Sequence, residues 1–209
     1  MTNPNFKRQR GRTRRDRVPE KELVRLPSIL IVCQGEKTEP NYFRAFRVAD
    51  VEIIHGNGDP SQVVEFAEAE YGKDMRRDQV WCVFDRDDFP QFDPAILRIE
   101  TLQHQGKPFY AAWSNTCFEL WYVLHFEYLQ AAIDRERYGR KITQHLKISY
   151  KKNDDTMRDR LRMHEETALQ NAARLRKMHN DAGTILPSHK CPMTTVDQLV
   201  EILQRARTV

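Results

Sequence analysis

The sequence predicts an α/β protein: a Rossmann-like three-layer sandwich around a mainly parallel four-stranded sheet, extended by a helical C-terminal region. Three observations carry this. Short, largely apolar runs at 29–33, 51–54, 79–84 and 108–113 have the length and β-branched or aromatic content of buried strands. Helical stretches alternate with them, the pattern of βαβ units. Beyond about Tyr128 no convincing strand appears and helical signals dominate. The chain therefore divides into a basic arm (1–27), an α/β core (28–127) and a helical region packing on that core (128–209).

The elements follow in order. Ile29-Leu30-Ile31-Val32-Cys33 reads as a fully buried first strand. Pro40 suits a first helical turn, with Tyr42, Phe43, Phe46 and Arg47 carrying the helical spacing onward. Val51–Ile54 is the second strand, closed by Gly56-Asn57-Gly58. Asp59 or Ser61 can cap the next helix, whose apolar stripe is Val63, Val64, Phe66 and Ala67 as far as Tyr71. Residues 79–84 form the third strand. A helix from Pro94 to about Gln105 turns Ile96, Leu97, Ile99 and Leu102 inward, and Gly106 ends it. After the fourth strand, Ser114-Asn115 caps a strongly apolar helix running to about Phe126. Further on, Ala168, Ala172, Leu175 and Met178 make one helix face, while Arg158, Arg160, Arg162, Arg174 and Arg176 point mostly elsewhere. Pro187 and Pro192 break the chain, and Thr194 or Thr195 caps a last helix through Leu203.

Composition narrows the class. Charged residues make up 31% of the 209 and hydrophobic ones 40%, which fits a soluble protein with a polar exterior. No apolar run approaches the roughly 20 residues that span a bilayer. The basic N-terminus lacks a following apolar segment, so no secretory signal is read there. Cys33, Cys82, Cys117 and Cys191 show no C-x-x-C spacing. They read as buried free thiols in a reducing cytoplasm rather than as zinc ligands.

Charge is uneven. Residues 1–27 hold nine Lys/Arg and three Asp/Glu, against 25 and 27 in the remainder. Arg8, Arg10, Arg12, Arg14 and Arg15 thus form a basic arm on a nearly neutral body, either a phosphate-backbone tether or a solvated tail. The remaining chemistry gathers where strands end. Gln34-Gly35-Glu36-Lys37-Thr38-Glu39 follows the first strand and Asp85-Arg86-Asp87-Asp88 the third. In α/β sheets, ligands bind at the carboxyl ends of strands, and first and third strands are commonly neighbours at the switch point. Asp85 and Asp87, on alternate residues of an extended chain, share a side and can reach one ion, leaving Asp88 to point away or act through water. Gly35 allows close backbone approach, Glu36 or Glu39 can supply another carboxylate, and Lys37 can pair with a phosphate. Such oxygen-rich clusters suit Mg²⁺ or Mn²⁺. Glu119 sits in an apolar helix beside Asn115, one turn earlier, where a charge needs a site or solvent to face. His125 reads as a satisfied core histidine, with a proton carrier as the alternative.

Four stretches together resemble the RloB-like family, a branch of the Toprim-like proteins of bacterial defence loci. They are Ile31-Val32-Cys33-Gln34-Gly35-Glu36-Lys37-Thr38-Glu39-Pro40-Asn41-Tyr42-Phe43, Phe84-Asp85-Arg86-Asp87, Ser114-Asn115-Thr116-Cys117-Phe118-Glu119-Leu120-Trp121 and Thr194-Thr195-Val196. The resemblance implies a Toprim sandwich whose Asp85 and Asp87 hold Mg²⁺ for phosphodiester cleavage. Toprim loops carry Glu-Gly, and this chain has Gln34-Gly35; Glu36, two residues on, is the acid that takes the role, with Gln34 as an oxygen ligand. Glu119 is implied as an outer ligand or orienting group. A nuclease acting on DNA or RNA, with a partner ATPase encoded nearby, is the leading expectation. The alternative is a catalytically silent nucleic-acid-binding or regulatory subunit of that ATPase. Self-association is left open.

Overall fold

The computed structural model describes residues 26–207. The arginines Arg8, Arg10, Arg12, Arg14 and Arg15 lie outside the described residues. Five strands form one sheet: β1 (Ile29–Cys33), β2 (Val51–His55), β3 (Gln79–Asp85), β4 (Phe109–Asn115) and β5 (Met193–Thr194). The helices are α1 (Thr38–Arg44), α2 (Pro60–Lys73), α3 (Phe92–His104), α4 (Glu119–Leu124), α5 (Arg135–Leu146), α6 (Met157–Leu161), α7 (Glu165–Asp181) and α8 (Val196–Arg207). Strand order is β2-β1-β3-β4-β5. The first four run parallel and β5 runs antiparallel to β4. None of the described helices is long and apolar enough to cross a membrane.

The two layers follow from strand alternation. In β1, Ile29, Ile31 and Cys33 enter one core with the aromatic residues of α1 and α4 and the apolar faces of α7 and α8. Leu30 and Val32 enter the other, with Val63, Val64 and Ala67 of α2 and Ile96, Ile99 and Leu102 of α3. A strand buried on both faces needs apolar residues at every position, and β1 has them. The first core is an aromatic cluster. Tyr42 meets Phe43, Phe46, Phe118 and Trp121 edge-on, with ring centroids 5.5–6.5 Å apart.

Several sequence expectations need correction. The sheet has five strands, not four, because Met193–Thr194 pairs with the end of β4. Two residues are too few to show a period, and the hydroxyls of Thr194 and the following Thr195 do much of the joining. Trp113 N–H donates to Thr195 Oγ1 at 2.9 Å, and Thr194 Oγ1 lies 3.0 Å from Ser114 Oγ. Thr194 Oγ1 also accepts Val196 N–H at 3.2 Å at the head of α8, so the expected threonine cap is present as well. Ser114 and Asn115 are strand residues rather than a cap, and the following helix begins at Glu119. Asn115 does not meet Glu119; its Nδ2 donates to the carbonyls of Ser188 (2.9 Å) and Pro187 (3.3 Å). Leu97 is 62% exposed, since one residue beyond Ile96 the helix has already turned from the sheet. The first helix starts at Thr38 and stops at Arg44, and Arg47 takes a left-handed conformation beyond it.

The C-terminal arginines do not share one environment. Arg158 is 3% exposed, with its guanidinium 3.7 Å from the Phe46 ring centre and 3.4 Å from Glu165. Arg176 grips the buried Asp197 with two hydrogen bonds of 2.9 and 2.7 Å, tying α7 to α8. His125 is a core histidine satisfied at one ring nitrogen only, since its Nε2 is buried without a hydrogen-bond partner. Its Nδ1 lies 2.9 Å from Trp121 O, and burial pushes its pKa down to about 3, so it stays neutral near pH 7. Removing Arg176 would leave the Asp197 carboxylate buried without its partner. Arg176→Ala is expected to destabilise the fold by about 2–3 kcal/mol in urea titration, short of a fully buried pair because the guanidinium is partly exposed.

Candidate functional site

Strand order fixes where the site lies. The chain leaves β1 for β2 on one side and reaches β3 on the other, so α1 must cover one sheet face and α2 the opposite one. The crevice between these connections opens above the carboxyl ends of β1 and β3, where Cys33 pairs with Val83. The residues after each strand line a cavity of about 430 Å³.

Gln34 is committed to structure at both ends of its amide. Asp85 N–H donates to Gln34 Oε1, and Gln34 Nε2 donates to Gly58 O, each at 3.0 Å. It clasps the end of β3 to the loop before α2. A glutamate at this position would keep the first bond and lose the second. The acid that reaches inward is instead Glu39, 6% exposed in the first turn of α1. Gly35 makes room for it: a Cβ on Gly35 would stand 1.9 Å from Glu39 Oε2. Glu36 is exposed and reaches only the rim of the same cavity.

Asp85 is the last residue of β3 and 7% exposed. Asp87 is not an extended-chain partner to it. Its φ of 38° is left-handed, its N–H donates to Thr116 O at 3.1 Å, and its carboxylate meets the Arg135 guanidinium at 2.5 Å. Glu119, the first residue of α4, is 5% exposed. The Tyr150 hydroxyl donates to its Oε1 at 3.1 Å, and its Oε2 is buried without a hydrogen-bond partner.

The carboxyl groups feel one another. Burial first, then Glu39, Asp87 and Glu119, push Asp85 well above the ordinary carboxylate range; the hydrogen-bonded Phe118 N–H opposes this. Burial raises Glu39 as well, with Glu119 adding to it and its own backbone N–H, Lys152 and Arg135 opposing. Three cations from separate elements face the cluster: Lys37, Arg135 and Lys152. Thr38 Oγ1 donates to Lys152 O at 2.7 Å, which pins that segment over the head of α1.

A divalent cation fits this donor set by chemistry. All the donors are oxygens, one buried oxygen lacks a partner, and Asp85 is ionised only at a cost. The side chains do not close around an ion as they stand. Among the described residues no three acidic, histidine or cysteine groups are placed to hold one, and Asp87 is turned to Arg135.

Of the residues singled out in the sequence, Gln34, Glu36, Lys37, Asp85, Asp87 and Glu119 line this one cavity. Asp88 does not; it faces a separate cleft with Arg86, Phe89 and Ser188. Sequence reasoning weighed Glu39 only as an alternative and missed Arg135, Tyr150 and Lys152. A signal for Glu39 existed: it shares a helix face with Tyr42, Phe43 and Phe46, all buried. Nothing in the local sequence marks the other three.

Fold and cavity define an α/β sandwich with a buried acidic site at its switch point, completed by cations from a C-terminal helical region. The chain belongs to the RloB-like family, whose model, described as RloB-like protein, matches residues 29–203. No curated protein and no solved structure matches it.

The raised Asp85 pKa sets a pH dependence. The fold holds this proton more tightly than the unfolded chain, so its contribution to stability is full below about pH 4 and is lost as pH rises through the raised value. With EDTA present, wild-type Tm is expected to fall between pH 4 and 8 more steeply than that of Asp85→Asn. Thermal melts should find the variant more stable at pH 8.

Proposed function

We propose that this chain is a Mg²⁺- or Mn²⁺-dependent nuclease of Toprim type, cleaving nucleic-acid phosphodiesters in prokaryotic antiphage defence under the control of a partner ATPase. The observation that carries the chemical part is the convergence of Glu39, Asp85, Asp87 and Glu119 on one cavity at the β1/β3 switch point. The defence setting and ATPase rest on the family resemblance, and the cytoplasmic location on the four free cysteines.

In this reading Asp85, Glu39 and Glu119 hold the cation, and Asp87 joins them once released from Arg135. When bound, the cation polarises the scissile phosphate and acidifies a water. The rest is done by the chain. Gln34 fixes the end of β3 relative to β2, which holds Asp85 in register. Tyr150 orients Glu119 by donating to Oε1, leaving Oε2 free to act. Arg135, freed from Asp87, is placed with Lys37 and Lys152 to offset the charge of an incoming phosphate.

One observation favours a second reading. Because the carboxylates do not close around an ion and Arg135 neutralises Asp87, the chain can also serve as a silent nucleic-acid-binding subunit of the ATPase. A cleavage assay on RNA and DNA, with Mg²⁺, Mn²⁺ or EDTA and with the ATPase present or absent, separates the two. Metal-dependent cleavage abolished by EDTA is expected; its absence under every condition would overturn the nuclease reading and leave the silent subunit.

Variants refine the assignment. Asp85→Ala and Glu39→Gln should each lower cleavage by about 10²-fold or more, the scale of losing one charge-organising group in an active site, and Glu36→Gln should cost far less. Gln34→Glu should lower cleavage rather than raise it, because the donor to Gly58 O is lost. In Gly35→Ala the new methyl should displace the Glu39 carboxylate, so cleavage falls while Tm moves little.

A further inference from the structure

Beside the acidic cavity lies a second one, of about 490 Å³, lined by Lys151, Lys152, Asn153, Asp154, Thr156 and Arg160. Lys152 and Asn153 line both, so the two adjoin. Their charges are opposite in character. The first has a floor of buried carboxyl groups, while the second presents three cations and one acid. That acid is already engaged: Thr156 donates to Asp154 Oδ1 through N–H at 2.9 Å and through its hydroxyl at 2.6 Å. Thr156 and nearby cations hold Asp154 below its usual range. Arg160 reaches Thr156 Oγ1 through Nε at 3.0 Å, pairs with Asp154 Oδ2 at 3.6 Å and is 43% exposed. Neither Lys151 nor Lys152 forms an ion pair among the described residues, and both are exposed.

The segment carrying these cations is fixed relative to the acidic floor. Lys152 O accepts from Thr38, Tyr150 donates to Glu119, and Tyr150 N–H donates to Thr143 Oγ1 at 3.0 Å. A floor of carboxylates repels a phosphate, whereas a fixed group of cations in net excess over one acid attracts the next one on the same strand.

We propose that the second cavity is a phosphate subsite, taking a backbone phosphate that flanks the one in the acidic cavity. The ligand is then an oligonucleotide strand rather than a mononucleotide. The inference rests on the nuclease reading for which phosphate is cut, but strand binding at Lys151 and Arg160 stands without cleavage.

Fluorescence anisotropy with labelled single-stranded DNA and RNA, in EDTA, tests it on the full chain. Lys151→Glu and Arg160→Gln should each weaken binding, Lys151→Glu by tenfold or more, and lower the slope of log affinity against log salt by about one phosphate contact. Lys107→Glu, exposed at the opposite end of the sheet just before β4, is the control for net charge. In parallel, wild-type hydrolysis of bis(p-nitrophenyl) phosphate with Mn²⁺ reports on the acidic site alone. If both subsite variants bind like the Lys107→Glu control, the subsite is overturned whatever the hydrolysis shows. Affinity lost in both variants supports the subsite; if no diester is then cleaved, it is the nuclease reading that fails.

Discussion

Carboxyl groups buried together repel one another and lose their hydration, and Glu39, Asp85 and Glu119 are all less than a tenth exposed. Their surroundings can be understood as the means of tolerating that. Gly35 gives up a side chain so that Glu39 fits against the backbone. Phe118 N–H reaches Asp85, Tyr150 reaches Glu119, and Arg135 closes on Asp87. Glu119 Oε2 is the atom left over. Cores do not retain such an arrangement for packing, since apolar residues of the same volume would be more stable. The arrangement has the character of a site in which stability is given up for chemistry.

The core was largely legible because its signals are local. A strand such as Ile29–Cys33 declares itself by uninterrupted apolar residues, and Asp59 declares a helix start through a capping box with Gln62. The neighbouring of β1 and β3, which brings the two acidic loops together, followed from the fold class, in which first and third strands commonly adjoin at the switch point. What was not legible is what depends on distance in the chain. β5 is two residues whose partners lie some 80 positions away, and Arg135 meets Asp87 across 48. No periodicity reports such pairings.

The Gln34-Gly35-Glu36 turn shows a subtler limit. The family resemblance implied that Glu36 takes the role of an acid expected at position 34, but the backbone carries the Glu36 side chain into solvent. The helix face through Tyr42, Phe43 and Phe46 is the better guide, because burial of those rings fixes the rotation of α1 and turns Glu39 inward with them. Gln34 meanwhile holds backbone groups from two loops, work for which an amide has both a donor and an acceptor and a carboxylate has acceptors only.

The clasp between Thr38 and the Lys152 carbonyl joins residues 114 positions apart. The ribosome therefore releases the acidic half of the pocket early in synthesis and the half bearing Arg135, Tyr150 and Lys152 late. β5, the strand that closes the sheet edge, emerges later still. A chain interrupted after α4 holds the acids without Arg135, Tyr150 and Lys152. The proposed strand-binding surface is therefore complete only after the helical region has been made.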